Sequence, residues 1–240
     1  MIDVLFLDGT GAPLGGSLQA STFAEALDPQ RFRFRLVPYP ADYGRAVSYV
    51  QSVEIGQHAL VEAIRATPNR VVVGGYSQGA YIAGNLAADV HAYDDLVDLE
   101  IAACALLADP ARPAGHYIGA TDPGGYGISG RRIVDGAIWA AAPGDPITAL
   151  PEGNPLRSVA DLTGYFSIAS PEDMLIWGAE TLDAVRRGRL QDWWRPWLWR
   201  DWAGALRYAK GYLVDGKHTD AYLTSGLCVA LAQAVNDSVS

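Results

Sequence analysis

Gly75-Tyr76-Ser77-Gln78-Gly79 follows Arg70-Val71-Val72-Val73-Gly74 and precedes Ala80-Tyr81-Ile82-Ala83-Gly84-Asn85-Leu86-Ala87-Ala88. The first flank has the β-branched, apolar composition of a short buried strand, and the second is rich in small, helix-compatible residues. Strand, sharp turn and helix together make the setting in which a serine is lifted clear of a sheet at the start of the next helix. Glycine two positions to either side matters because such a turn leaves no room there for side chains. A glycine-rich turn with a solvated serine is the bland alternative, and the flanking pattern favours a nucleophile at Ser77.

Outward from this turn, strand and helix patterns alternate, as they do in a parallel sheet covered on both faces. Met1 to Asp8 reads as the first strand, with a glycine-rich loop, Gly9 to Gly16, behind it. Arg31 to Val37 alternates with period two, which predicts a strand with one wet face. Val53, Leu60 and Ile64 fall on one stripe of a helix that ends near Pro68-Asn69. Leu99 to Ala108 predicts a fourth strand running into Asp109-Pro110, and Ile133 to Ala142 a fifth, closing on Pro143-Gly144-Asp145-Pro146. From about Ser158 to Tyr212 the chain is helical in pattern, strand-poor and rich in tryptophan. No repeat or linker forces a second domain, so residues 1–240 are expected to form one catalytic domain with a helical insertion at about 158–212.

Composition narrows the function classes. The chain has 240 residues, half of them hydrophobic, 19% charged, and a formal net charge of -9. Such a length can bury one sizeable core. The acidic balance argues against nucleic acid and against electrostatic docking to an anionic membrane. Cys104 and Cys228 lie in apolar segments and read as buried free thiols, with a single bond between them left open. The acidic first strand does not resemble a signal peptide, and no apolar run is long enough to span a bilayer. The expectation is therefore synthesis in the cytoplasm.

Gly9-x-Gly11 after a strand could suggest a nucleotide site, but Pro13 interrupts the spacing and no Gly-Lys-Ser/Thr follows. The loop suits another task. In sheets with a serine turn, the loop after an early strand gives backbone N–H groups to an oxyanion hole, completed by the residue after the serine. Here these are Thr10 and Gln78. A base is needed beside the serine, and a carboxylate behind the base to fix its tautomer. Of four histidines, His58 lies inside an amphipathic helix, His91 in an acidic surface stretch and His116 in a loop. His218 sits on a late loop before the last helix, where the chain order nucleophile, acid, histidine places the base. Asp145, at the end of the fifth strand, is the first candidate for the acid. Its alternatives are Asp173, which reads as a helix cap, and Asp109, one strand earlier. No cluster suited to a metal or cofactor appears, so none is expected.

These stretches resemble the lysin B esterases of mycobacteriophages, relatives of the cutinases. The resemblance rests on Asp8-Gly9-Thr10-Gly11, Tyr39-Pro40-Ala41, Gly75 to Ala80, Ala108-Asp109-Pro110-Ala111-Arg112, Gly144-Asp145 and His218. It implies an α/β-hydrolase fold of cutinase type, with Ser77 as nucleophile, His218 as base, Asp145 as orienter, and Thr10 with Gln78 as oxyanion hole. It also implies a helical insertion between the acid and the histidine. The chain departs from the pattern with Asp8 in place of a frequent histidine and with Asp109 in place of asparagine, and no N-terminal extension for binding peptidoglycan is expected.

The implied substrate is the ester joining mycolic acids to arabinogalactan, a lipid ester of the mycobacterial-type outer envelope, reached after release through a phage holin. Asp192 to Trp202 supplies five tryptophans between charged residues, and Trp197 and Trp199 are candidates for a lipid-facing rim. The same rings could instead pack the insertion onto the sheet. A general cutinase or lipase and a catalytically dead hydrolase-fold module are the alternative functions, and a monomer is the expected state.

Overall fold

A computed structural model of the chain describes residues 1–90, 93, 96, 98–154, 156–157, 187 and 216–239. The described residues form a five-stranded, all-parallel sheet: β1 (Ile2–Leu7), β2 (Phe32–Leu36), β3 (Arg70–Tyr76), β4 (Ile101–Leu107) and β5 (Ala137–Ala140), in the order β2-β1-β3-β4-β5. Helices α1 (Leu18–Glu25), α2 (Tyr49–Arg65), α3 (Gln78–Asp89), α4 (Asp220–Thr224) and α5 (Leu227–Ser238) cover it. The helical insertion expected at 158–212 lies outside the described residues but for Arg187.

The period-two pleat sorts side chains between the faces. Val4, Phe6, Val72, Ala105 and Leu107 pack on one side with Phe23 of α1 and with Leu231 and Val235 of α5. Leu5, Leu7, Val71, Val73, Cys104 and Leu106 pack on the other with Leu60 and Ile64 of α2 and Ile82 and Leu86 of α3. Burial on both faces explains why β1 reads as an unbroken apolar run. Cys104 and Cys228 are free, buried, and on opposite faces. The stripe Val53, Leu60, Ile64 is buried as expected, and α2 opens with a reciprocal cap between Ser48 and Gln51.

One expectation is corrected. The fifth strand is not Ile133 to Ala142 but only Ala137–Ala140, paired with Cys104 to Leu107. Gly136, at φ +71°, turns the chain just before it, and the Ala137 N–H closes that turn on the Val134 carbonyl at 3.2 Å. Asp145 therefore stands beyond the strand on a second turn, where Gly144 has φ +79° and the Asp145 N–H reaches the Ala142 carbonyl at 3.2 Å.

The loops at this edge are held by buried arginines. Arg112, with no exposed surface, donates to the carbonyls of Thr148 (2.8 Å), Pro113 (3.2 Å), His116 (3.1 Å), Gly124 (2.6 Å) and Gly125 (3.1 Å). Arg157 donates to the carbonyls of Tyr126, Gly127 and Leu150 and stacks 3.5 Å above the Tyr126 ring. Each guanidinium satisfies carbonyls that irregular backbone would otherwise bury unpaired.

Candidate active site

In an open parallel sheet, binding sites form beyond the carboxyl ends of the strands where the strand order reverses. Here that point lies between β1 and β3, the strands that lead into the Asp8–Gly16 loop and Ser77. Ser77 has φ 56° and ψ -116°, a backbone conformation that L-residues rarely adopt. Its neighbours permit that turn by lacking side chains. A Cβ on Gly75 would lie 2.2 Å from the Gly79 carbonyl carbon, and one on Gly79 would lie 2.0 Å from the Leu7 carbonyl oxygen.

Ser77 Oγ lies 2.7 Å from His218 Nε2. The opposite nitrogen, Nδ1, faces both oxygens of Asp145, at 3.1 and 3.0 Å. His218 is 6% exposed and Asp145 fully buried, so their contact is shielded from water. The structure thus brings Ser77, His218 and Asp145 into one line of contact. Tyr76 stacks on the His218 ring with centroids 5.4 Å apart and donates its hydroxyl proton to the His218 carbonyl.

Asp145 has two further donors. The Ile147 N–H reaches Oδ1 at 2.9 Å, and the Tyr222 hydroxyl reaches Oδ2 at 2.6 Å. Tyr222 was not legible as a site residue, because a tyrosine signals nothing until the helix phase sets it one turn after His218. Asp109 has a different task. Its carboxylate accepts hydrogen bonds from Arg132 (2.7 Å), the Trp139 indole (2.9 Å) and the Ala111 N–H (2.9 Å), which joins loop to strand. Asp173, Trp197 and Trp199 lie outside the described residues. His58 and His116 are exposed, and neither is joined to Ser77.

Gln78 follows Ser77 in the chain, and the loop that carries Thr10 comes close to it, since a Cβ on Gly9 would lie 3.3 Å from the Ser77 Cβ. Gln78 opens α3, so its N–H points out of the first helical turn with no acceptor inside the helix. Its side chain is buried: Oε1 accepts from Tyr39 (3.2 Å) and Ser52 (3.3 Å), and Nε2 donates to the Asp42 carbonyl at 3.1 Å. Burial, then the charge of Asp8, pushes the Tyr39 phenol far up, so it stays a donor. Thr10 is exposed at the tip of its turn. The N–H groups of Gly9, Gly11 and Ala12 are taken by Asp8 Oδ1 and the Ala41 and Gly9 carbonyls, while that of Thr10 has no acceptor among the described residues. Asp8, where a histidine is frequent in the resembling family, anchors this loop through Gly9 and Ser17. No group of residues able to hold a metal ion occurs among the described residues.

Comparison with known proteins follows the same lines. A search of curated protein sequences returns no match. Among solved structures, the lysin B of mycobacteriophage D29 is similar over 78% of this chain and 90% of its own, with a TM-score of 0.53 and 22% identity. A cutinase-like protein from Cryptococcus sp. is similar over 78% of this chain and 94% of its own, with a TM-score of 0.51 and 18% identity. At these identities the likeness establishes the fold. The sequence itself matches the cutinase family model over residues 3–138, more than half its length, and the chain belongs to that family.

Proposed function

We propose that this protein is a serine esterase in which Ser77 is the nucleophile, His218 the general base and acid, and Asp145 the residue that orients His218. The observation that carries the reading is the 2.7 Å contact between Ser77 and His218, with Asp145 behind it, at the mouth of the sheet. Ser77 Oγ attacks the ester carbonyl carbon as its proton passes to His218 Nε2. Asp145 accepts from Nδ1–H and stabilises the imidazolium. The carbonyl oxygen, now negative, is received by the N–H groups of Gln78 and Thr10 at the positive end of α3. Collapse of this intermediate expels the alcohol, which takes its proton from His218. Water then repeats the sequence on the acyl-enzyme and releases the acid. Every step is served by side chains and backbone alone.

For the substrate, we propose the ester between mycolic acids and arabinogalactan, cleaved at the host envelope during phage release. Its support is the set of sequence stretches shared with the lysin B pattern, from Asp8-Gly9-Thr10-Gly11 to His218. The cutinase family match favours a second reading, a broader carboxylesterase. Hydrolysis of mycolyl-arabinogalactan beside short p-nitrophenyl esters separates them. Ser77→Ala should lower turnover on either substrate by several orders of magnitude with folding unchanged. Retention of more than about a tenth of the activity would remove Ser77 from its role.

A further inference from the structure

Tyr222 is fully buried, and its hydroxyl makes two contacts of opposite sense. It accepts from the Ala142 N–H at 3.2 Å and lies 2.6 Å from Asp145 Oδ2. The first contact occupies a lone pair, so the phenolic proton is directed at the carboxylate. Burial, then the charge of Asp145, pushes the phenol's pKa well up, which keeps that proton in place. His218 and Tyr222 are four residues apart, and the turn between them closes through the Thr219 carbonyl and the Tyr222 N–H at 3.2 Å. One short segment therefore carries both the imidazole and a phenol that share one carboxylate. Tyr222 competes with His218 for the negative charge of Asp145.

We infer that Tyr222 is a positioning residue that sets how much of the Asp145 charge reaches His218, and so the pH at which His218 becomes the neutral base. The inference rests on the esterase reading for its consequence in catalysis. Strong donation to Oδ2 draws charge away from the Nδ1–H contact and weakens the hold on an imidazolium. With Asp145 ionised, the base then stays neutral to lower pH than it would beside a carboxylate bound only by His218. The other titratable and charged groups facing this cluster come from several elements. They are Tyr76 of β3, whose ring centroid lies 6.3 Å from that of Tyr222, and Arg112 after β4, which feels the charges of Tyr222 and Asp145 and also that of Asp109. Arg112 also feels the charge of Asp122, and Lys217 and Asp220 on the segment itself are exposed.

Two changes at position 222 test this with opposite signs. Tyr222→Phe removes the donor, and 3-fluorotyrosine placed there by site-specific incorporation strengthens it by making the phenol more acidic. Two readouts apply to each: the acidic limb of kcat/KM against pH on a p-nitrophenyl ester, and the titration of the His218 ring followed by NMR. With Tyr222→Phe both should move to higher pH, by about 0.5 pH or more. With fluorotyrosine both should move the other way. A structural role alone would give displacement in one common direction or none, and either result overturns the inference. Should Tyr222→Phe fail to fold, the single added fluorine still gives a signed displacement. Absence of ester hydrolysis in the unaltered protein would overturn the esterase reading, while the NMR titration would still decide the role of Tyr222.

Discussion

At the scale of single residues, Asp145 is the position whose replacement says most. Both of its oxygens face Nδ1 of His218, so Nδ1 carries the proton and Nε2 presents its lone pair to Ser77. An amide in its place could hold the opposite tautomer by offering its own N–H. Asp145→Asn should therefore cut turnover by about a thousandfold or more near neutral pH. A loss smaller than tenfold in steady-state assays would move the acid elsewhere. The histidine was legible in sequence because four candidates and a fixed chain order left one. Asp145 is legible from the Gly-Asp-Pro turn that closes the fifth apolar run, although the strand itself stops at Ala140 and the turn carries the chain farther from it than the run suggests. The roles of Tyr222 and Arg112 carry no pattern in the sequence, because Asp145 lies far from Tyr222 along the chain and the carbonyls around Arg112, from Pro113 to Thr148, are gathered only by the fold of the loop.

At the scale of elements, the serine turn was read almost whole from five residues, since its glycines answer a steric demand that composition alone reveals. The demand extends beyond the turn. Gly79 lies on α3 but presses against the Leu7 carbonyl at the end of β1, so it fixes how closely helix and sheet approach. Gly79→Ala needs a displacement of backbone rather than a flexible side chain. It should cost about 1–3 kcal/mol or more in urea unfolding, and should lower turnover by shifting the Gln78 N–H. Unchanged stability would show that helix and sheet are not in contact there. The fifth strand is shorter than the apolar run from Ile133 to Ala142 suggests, because its start is set by the positive φ of Gly136.

At the scale of the whole molecule, the sheet is held at its other edge by one buried carboxylate. Asp3 accepts from Arg33 (2.8 and 2.7 Å), Thr67 (2.7 Å) and Asn69 (3.3 Å), which ties β1 to β2 and to the turn before β3. Burial works against its ionisation, but donation from Arg33, Thr67 and Asn69 outweighs it and holds the carboxyl below the usual carboxylate range. The folded chain then binds this proton less readily than the unfolded one. Its contribution to stability is present above the ordinary carboxylate value of about 3.9 and fades as pH falls through the lower folded value. The difference in melting temperature between the protein and Asp3→Asn should be widest above about pH 5 and narrow below pH 4. A difference that stays constant with pH would show that the carboxylate's charge is not what holds this edge.

The Arg112 guanidinium has a consequence for resistance to proteolysis. A long connection with little regular structure, such as the one between β4 and β5, is ordinarily where a protease first cuts, because cleavage needs several residues to peel away and extend. Here peeling would strip several carbonyls from one buried cation at the same time. The connection should therefore open only with the whole core, and limited digestion should spare residues 110–150 in the intact protein. Arg112→Ala should admit nicks there while the remainder stays folded, as mass spectrometry of the fragments would show. Nicks in the unaltered protein at those residues would mean that the cation does not bind the loop to the core. A single buried side chain would then set how the folded chain meets a protease.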